Sequence, residues 1–127
     1  MASGYPVKSL PLSGGRSAVI IDALVAIIAI NSGKWFDASK IEKGTFEFFK
    51  DGAGTLTSFA CQVYGSNSPD CPADSVDGFV IGASNTTVNG SLALATPARW
   101  LKVKTTAISV AGDPTGSLGV RLFAFTY

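Results

Sequence analysis

Side chains able to do chemistry are sparse in this sequence. Histidine is absent, which removes the usual general base near neutral pH, the commonest zinc ligand and the base that arms a serine or cysteine nucleophile. Glu42 and Glu47 are the only glutamates, and a carboxylate pair is the minimum equipment for glycoside hydrolysis. Glu47 alternates with Phe46 and Phe48, however, which puts it on the wet face of a strand as an ordinary solvated charge. Asp70, Asp74 and Asp77, with Asn67, collect oxygen atoms in the loop SNSPDCPADSVDG. Their spacing is not that of an EF-hand calcium loop, no bidentate glutamate closes it, and Asp, Asn, Pro and Gly are common turn residues. Neither Gly14-Gly15-Arg16 nor the glycines of 112–116 have the spacing of a phosphate-binding loop between a strand and a helix. The expectation is a protein with no catalytic residues, no metal and no cofactor.

Cys61 and Cys71 are the two cysteines. Cys61 falls on the inner face of a strand and Cys71 in the Pro- and Asp-rich loop, so they either close a small disulfide ring or remain one buried and one loop thiol. Two cysteines are too few for a secreted disulfide framework.

The elements that must position these residues read as strands. A chain of 127 residues with 46% hydrophobic and 15% charged residues and 14 glycines has the length of one domain and the composition of short strands joined by turns. Residues 54–67, GTLTSFACQVYGSN, form the clearest strand: Phe59, Cys61 and Val63 point one way and Ala60, Gln62 and Tyr64 the other. In 96–110, TPARWLKVKTTAISV, Leu101, Val103 and Thr105 share one face and Trp100, Lys102 and Lys104 the other. These two strands are expected in the middle of a β-sandwich. Thr45 to Phe49 is expected to form a hairpin with the first of them through 50–54, KDGAG. Shorter strands are expected at 34–38, 79–82 and 92–94, with a closing strand over 117–127.

The most apolar run, 18–30 (AVIIDALVAIIAI), is too short to span a bilayer and contains Asp22. The stretch before it is long and proline-containing for a signal-peptide lead, and Ala29-Ile30-Asn31 is a poor cleavage site. Its β-branched content and the turn residues Asn31-Ser32-Gly33 favour buried β-structure, with a short buried helix for part of it as the alternative that periodicity leaves open. Residues 1–16, with Pro6, Pro11 and Gly14-Gly15, read as an extended N-terminal arm ahead of a sandwich domain over 17–127. A net charge of +1 gives no pull toward nucleic acid or an anionic membrane.

The last strand is apolar on both faces: Leu118, Val120, Leu122 and Ala124 on one, and Phe123, Phe125 and Tyr127 with Arg121 on the other. Trp100 and Phe49 also fall on nominally outer faces. A free sandwich leaves one face wet, so the outer surface is expected to be covered, by 18–30 or by another subunit. Candidate subunit or partner contacts are Tyr5, Trp100, Lys102, Lys104, Arg121, Phe123, Phe125 and Tyr127. Arg99, Lys102 and Lys104 form a basic set able to pair with an acidic surface.

The order of pieces resembles a known group. A W-F-D-A strand, GTFEFF, TLTSFACQVYGSN, an acidic loop ending in DG, a turn with NG and then ATPARWLKVKTTAIS are similar to the small, jelly-roll-like β-sandwich structural proteins of tailed bacteriophages. There a strand ending in G-S-N is followed, after a loop, by an A-R-[YW]-[IL]-[RK]-V strand; here Gly65 to Asn67 and Ala98 to Val103 carry the match, which covers residues 33–127. The resemblance implies a non-enzymatic virion component, a head decoration (cement) protein on the capsid exterior, assembled in the bacterial cytoplasm. It would bind the major capsid protein at capsomer junctions and itself as a homo-oligomer, often a trimer. Neck, tail and fibre components belong to the same group. Discoidin-type sandwiches share the A-R-[YW]-[IL] strand, which makes a carbohydrate-binding module the second reading, with Tyr64 or Trp100 as sugar-stacking rings.

Overall fold

The computed structural model describes residues 7–11, 17–27, 30, 33–51, 55–87, 89–94, 97–111 and 117–126. These form an all-β antiparallel sandwich of two sheets. The strands are β1 (Val7–Pro11), β2 (Ser17–Ile27), β3 (Phe36–Asp37), β4 (Ile41–Asp51), β5 (Thr55–Ser66), β6 (Phe79–Asn85), β7 (Ser91–Ala93), β8 (Trp100–Ala111) and β9 (Ser117–Thr126). One sheet runs β1-β2-β9-β4-β7 and the other β3-β8-β5-β6.

The core lies between the sheets and is filled by alternate residues from both, as period-2 patterning requires. Ile21, Leu24, Phe46, Phe48, Leu118, Val120, Leu122 and Ala124 come from the first sheet; Phe36, Phe59, Cys61, Val63, Ile81, Leu101 and Val103 come from the second. The two clearest strands of the sequence do pair: β5 and β8 lie side by side at the centre of the four-stranded sheet, with Tyr64 opposite Lys102 and Val63 opposite Val103. The apolar run becomes β2, with Ala18 opposite Phe125 and Ile21 opposite Leu122. Val7–Pro11, placed by the sequence in an extended arm, lies antiparallel to β2 as an edge strand of the same sheet.

Two expectations are corrected. β4 and β5 do not form a hairpin: β4 pairs with β9 and β7, and β5 with β8 and β6. Both strands have an apolar face and a short connection, and the chain uses it to step across the core, so that Phe46 and Phe48 approach the core from one side and Phe59 and Val63 from the other. Nor does the described strand of the 18–30 run, 18–27, cover the outer face of β9. It pairs edge to edge with β9 in one sheet, which completes the sheet and leaves the outer face as it was.

Candidate functional site

Part of the outer face of the four-stranded sheet is covered by the chain itself, while Val80, in register with Tyr64, stays exposed. Trp35, Tyr64, Trp100, Lys102 and Lys104 point away from the core, and the 67–78 loop folds over them. Lys102 carries the closure. Its side chain is 0% exposed, and its ammonium donates to the carbonyl of Asp74 at 3.0 Å, to the carbonyl of Val76 and to Oδ1 of Asp77 at 3.3 Å. Three donors meet three acceptors, which is the condition for burying an ammonium. The same Nζ stands 4.9 Å from the centroid of the Trp35 ring and 5.9 Å from that of Tyr64, adding cation–π attraction in a desolvated place. Lys104 grips the other carboxylate oxygen of Asp77 at 3.1 Å. The hydrogen bonds from Lys104 and then from Lys102 hold the Asp77 carboxyl below its ordinary range.

The indoles fasten the rest of the loop. Trp35 Nε1 donates to the Ala73 carbonyl and Trp100 Nε1 to that of Ser68, each at 3.0 Å. The Arg99 guanidinium lies 5.4 Å from the centroid of the Trp100 ring. The backbone N–H of Arg99 donates to Asn67 Oδ1 at 3.1 Å. The G-S-N and A-R-W-L-K-V motifs are therefore partners in space. A Cβ on Gly65 would meet Ala98 Cβ at 3.0 Å, and one on Gly78, whose φ is +71°, would meet the Gly65 carbonyl oxygen at 2.2 Å. At Gly78 both the backbone conformation and the space require glycine.

This places several candidates. Trp100 and Lys102 lie beneath residues 67–78 of their own chain, which removes them as exposed contacts and removes Trp100 as a sugar-stacking platform. Lys104 is half-buried against Asp77, so two of the basic set, Lys102 and Lys104, find their acidic partner within the chain. Asp74 Oδ1 accepts the Trp35 backbone N–H at 3.3 Å, so two of the loop carboxylates serve the loop's attachment. Cys61 and Cys71 are free thiols: Cys61 faces the core, where burial pushes its thiol up to about 11, while Cys71 belongs to the loop on the opposite face of the same sheet. Glu42 is exposed. Tyr5 and Tyr127 lie outside the described residues.

The face of the five-stranded sheet also points outward and carries aromatic rings. Phe123 is 40% exposed, and Ile20, Phe49 and Phe125 are half-buried beside it. Phe123 and Phe125 meet edge to face at 5.3 Å and 81°, a favourable aromatic geometry. Arg121 lies between Asp22 and Glu47, at 3.7 and 3.9 Å, with its guanidinium 4.3 Å from the centroid of the Phe49 ring. Phe49 in turn lies across Gly119, where a Cβ would come within 2.4 Å of the ring; the aromatic side chain covers the gap that a strand glycine leaves. The sequence pointed to Arg121, Phe123 and Phe125 here. It missed Trp35, the Asp77 clamp and the Phe49–Gly119 pairing, because a cross-strand partner is fixed by register, which no local pattern displays.

A shallow cleft of about 330 Å³, lined by Val19, Ile21, Asp37, Ser39, Lys40, Ile41 and Thr126, opens at one end of the sandwich. Its wall is aliphatic, from Val19, Ile21 and Ile41, and its polar groups come from Asp37, Ser39, Lys40 and Thr126.

As a class, then, the chain is an all-β sandwich of two antiparallel sheets, one partly covered by its own loop and the other presenting an aromatic outer face. Among solved structures its fold is similar to that of the SPBc2 prophage-derived protein YomS, with a TM-score of 0.60 over 92% of this chain and 100% of that one, at 12% sequence identity. No protein-family model and no curated protein sequence matches the chain.

Proposed function

We propose that the chain is a non-enzymatic structural protein of a tailed-bacteriophage particle, and specifically a capsid decoration protein that binds other protein surfaces on the outside of the head. The observation that carries this reading is the outward cluster of Ile20, Phe123 and Phe125 beside the Arg121 ion pairs. A monomeric sandwich has no use for aromatic rings on that face, whereas a protein contact uses rings and an arginine of this kind as its anchors. The likeness of fold to a prophage-derived protein supports a phage setting, and the G-S-N and A-R-W-L-K-V resemblance supports the particle role. The sugar-binding alternative loses its best ring, since Trp100 is covered.

Co-sedimentation of the purified protein with phage capsids assembled without it tests the proposal. Saturable, stoichiometric binding that a Phe123→Asp substitution weakens is the expected result. Failure of the wild-type protein to bind capsids at micromolar concentration, together with binding on a glycan array, would overturn it.

A further inference from the structure

We infer that the occupant of the aromatic face is the same face of a second copy of the chain, related by a twofold axis that runs along the row Ile20, Phe123, Thr45. This deepens the reading of that face as a protein contact and rests on it: the face joins two copies, and the dimer so formed is the unit that binds the capsid. Three outward rows cross β2, β9 and β4: Asp22, Arg121 and Glu47; Ile20, Phe123 and Thr45; Ala18, Phe125 and Lys43. An axis along the middle row sets each strand against its own copy and exchanges the two flanking rows. Glu47 then faces the partner's Lys43, Arg121 faces the partner's Phe125 ring, and Phe123 faces its own copy. The contact is an ion pair, a cation–π pair and an aromatic pair, each made twice or on the axis.

Neighbouring axes fail the same test. Along the Arg121 row, Asp22 meets Asp22, Glu47 meets Glu47 and Arg121 meets Arg121; along the Phe125 row, Lys43 meets Lys43. Like charges brought together in this way oppose association. On β2, β9 and β4 the charges of the face, Asp22, Glu47, Lys43 and Arg121, sum to zero, and the two Glu47–Lys43 pairs outweigh the single like-charge meeting of the favoured register, that of Lys8, which lies in register with Ile20 on the edge strand β1. Facing sheets pack at about 30°, which preserves register near the centre, where β9 and β4 are adjacent. The sheet face measures roughly 20 by 30 Å from strand spacing and rise. Two such faces bury about 1,200 Å², the lower bound for a specific interface. A surface that meets itself closes on a twofold axis, so the unit is a dimer; a trimer would need two different surfaces.

Charge exchange tests this. The mass of the full chain in solution is measured by light scattering and native mass spectrometry for the wild type, Lys43→Glu, Glu47→Lys, the double exchange and Phe123→Asp, with circular dichroism confirming that each folds. A wild-type dimer is expected, with each single reversal weakening it at least about tenfold, the double exchange restoring it and Phe123→Asp abolishing it. A wild-type monomer or trimer overturns the inference, as does a dimer indifferent to all four variants. A wild-type monomer that still sediments with capsids through Phe123 would overturn the dimer while leaving the proposed function standing.

Discussion

Replacing Lys102 with methionine keeps the aliphatic stem in its slot between Trp35 and Tyr64 and deletes the ammonium. The carbonyls of Asp74 and Val76 and the carboxylate of Asp77 then lose a donor together. A hydrogen bond from a charged donor contributes roughly 1.5–3 kcal/mol. The carbonyls belong to a surface loop and can turn partly to water, so the low end applies to each, and relief from burying a charge offsets some of the remainder. The loss comes to about 3 kcal/mol, at the lower end of what breaking a buried charged pair costs. With a urea slope of roughly 1.5–2 kcal/mol/M for a small domain, the unfolding midpoint falls by about 1.5–2 M. Trp35 and Trp100 both lie beneath the loop, so their emission moves to longer wavelength as it lifts. Lys104→Met is the internal control: it removes the exposed half of the same clamp and is expected to lose several-fold less. A midpoint shift under about 0.3 M for Lys102→Met, with the slope and tryptophan emission unchanged, would refute the claim that Lys102 holds the loop.

The depressed pKa of Asp77 gives the clamp a pH dependence with a definite sign. Its contribution is present above the carboxyl's ordinary value of 3.8 and is lost as pH falls below it; Asp77→Asn should remove that acid-side slope from a tryptophan-monitored titration. Gly119→Ala drives a methyl group into the Phe49 ring and is expected to destabilise by about 1–3 kcal/mol, less in a Phe49→Ala background; thermal melts of the double-mutant cycle decide this. In thiol titration at pH 8 the loop thiol Cys71 should react in the native protein and Cys61 only after unfolding, and reducing agent should leave the melting temperature unchanged, because no bridge joins them.

The inward and outward faces of β4, β5 and β8 are legible in the sequence because apolar core positions alternate with residues of another kind, as with Phe46 and Glu47 or Val103 and Lys104. Which strand lies beside which is not legible in the same way. Phe46-Glu47-Phe48 followed by a short turn and Phe59 to Val63 suits a hairpin within one sheet as well as a step between two. The choice is made by β9 and β8, whose apolar residues occur far along the chain. The covering of Trp100 was hidden for a related reason. Its outward position is a local fact, whereas the reach of the loop depends on Lys102 binding carbonyls, which every residue possesses and no sequence pattern marks. Outward Phe123 and Phe125 were legible because a strand with one wet face does not explain apolar residues on both.

The position of β9 sets a timetable for the chain. It is the middle strand of the five-stranded sheet, and it pairs with β2 so that Thr126 donates to the carbonyl of Ser17, 109 residues earlier. At ordinary synthesis rates of about 5–20 residues per second, β2 leaves the ribosome some 5–20 seconds before its partner exists. Throughout that interval SAVIIDALVAI is an apolar strand whose long neighbour has not been made, and β4, the other flank of the gap, waits with it. Soluble yield should therefore follow translation speed, temperature and chaperone supply more closely than the equilibrium stability of the finished sandwich.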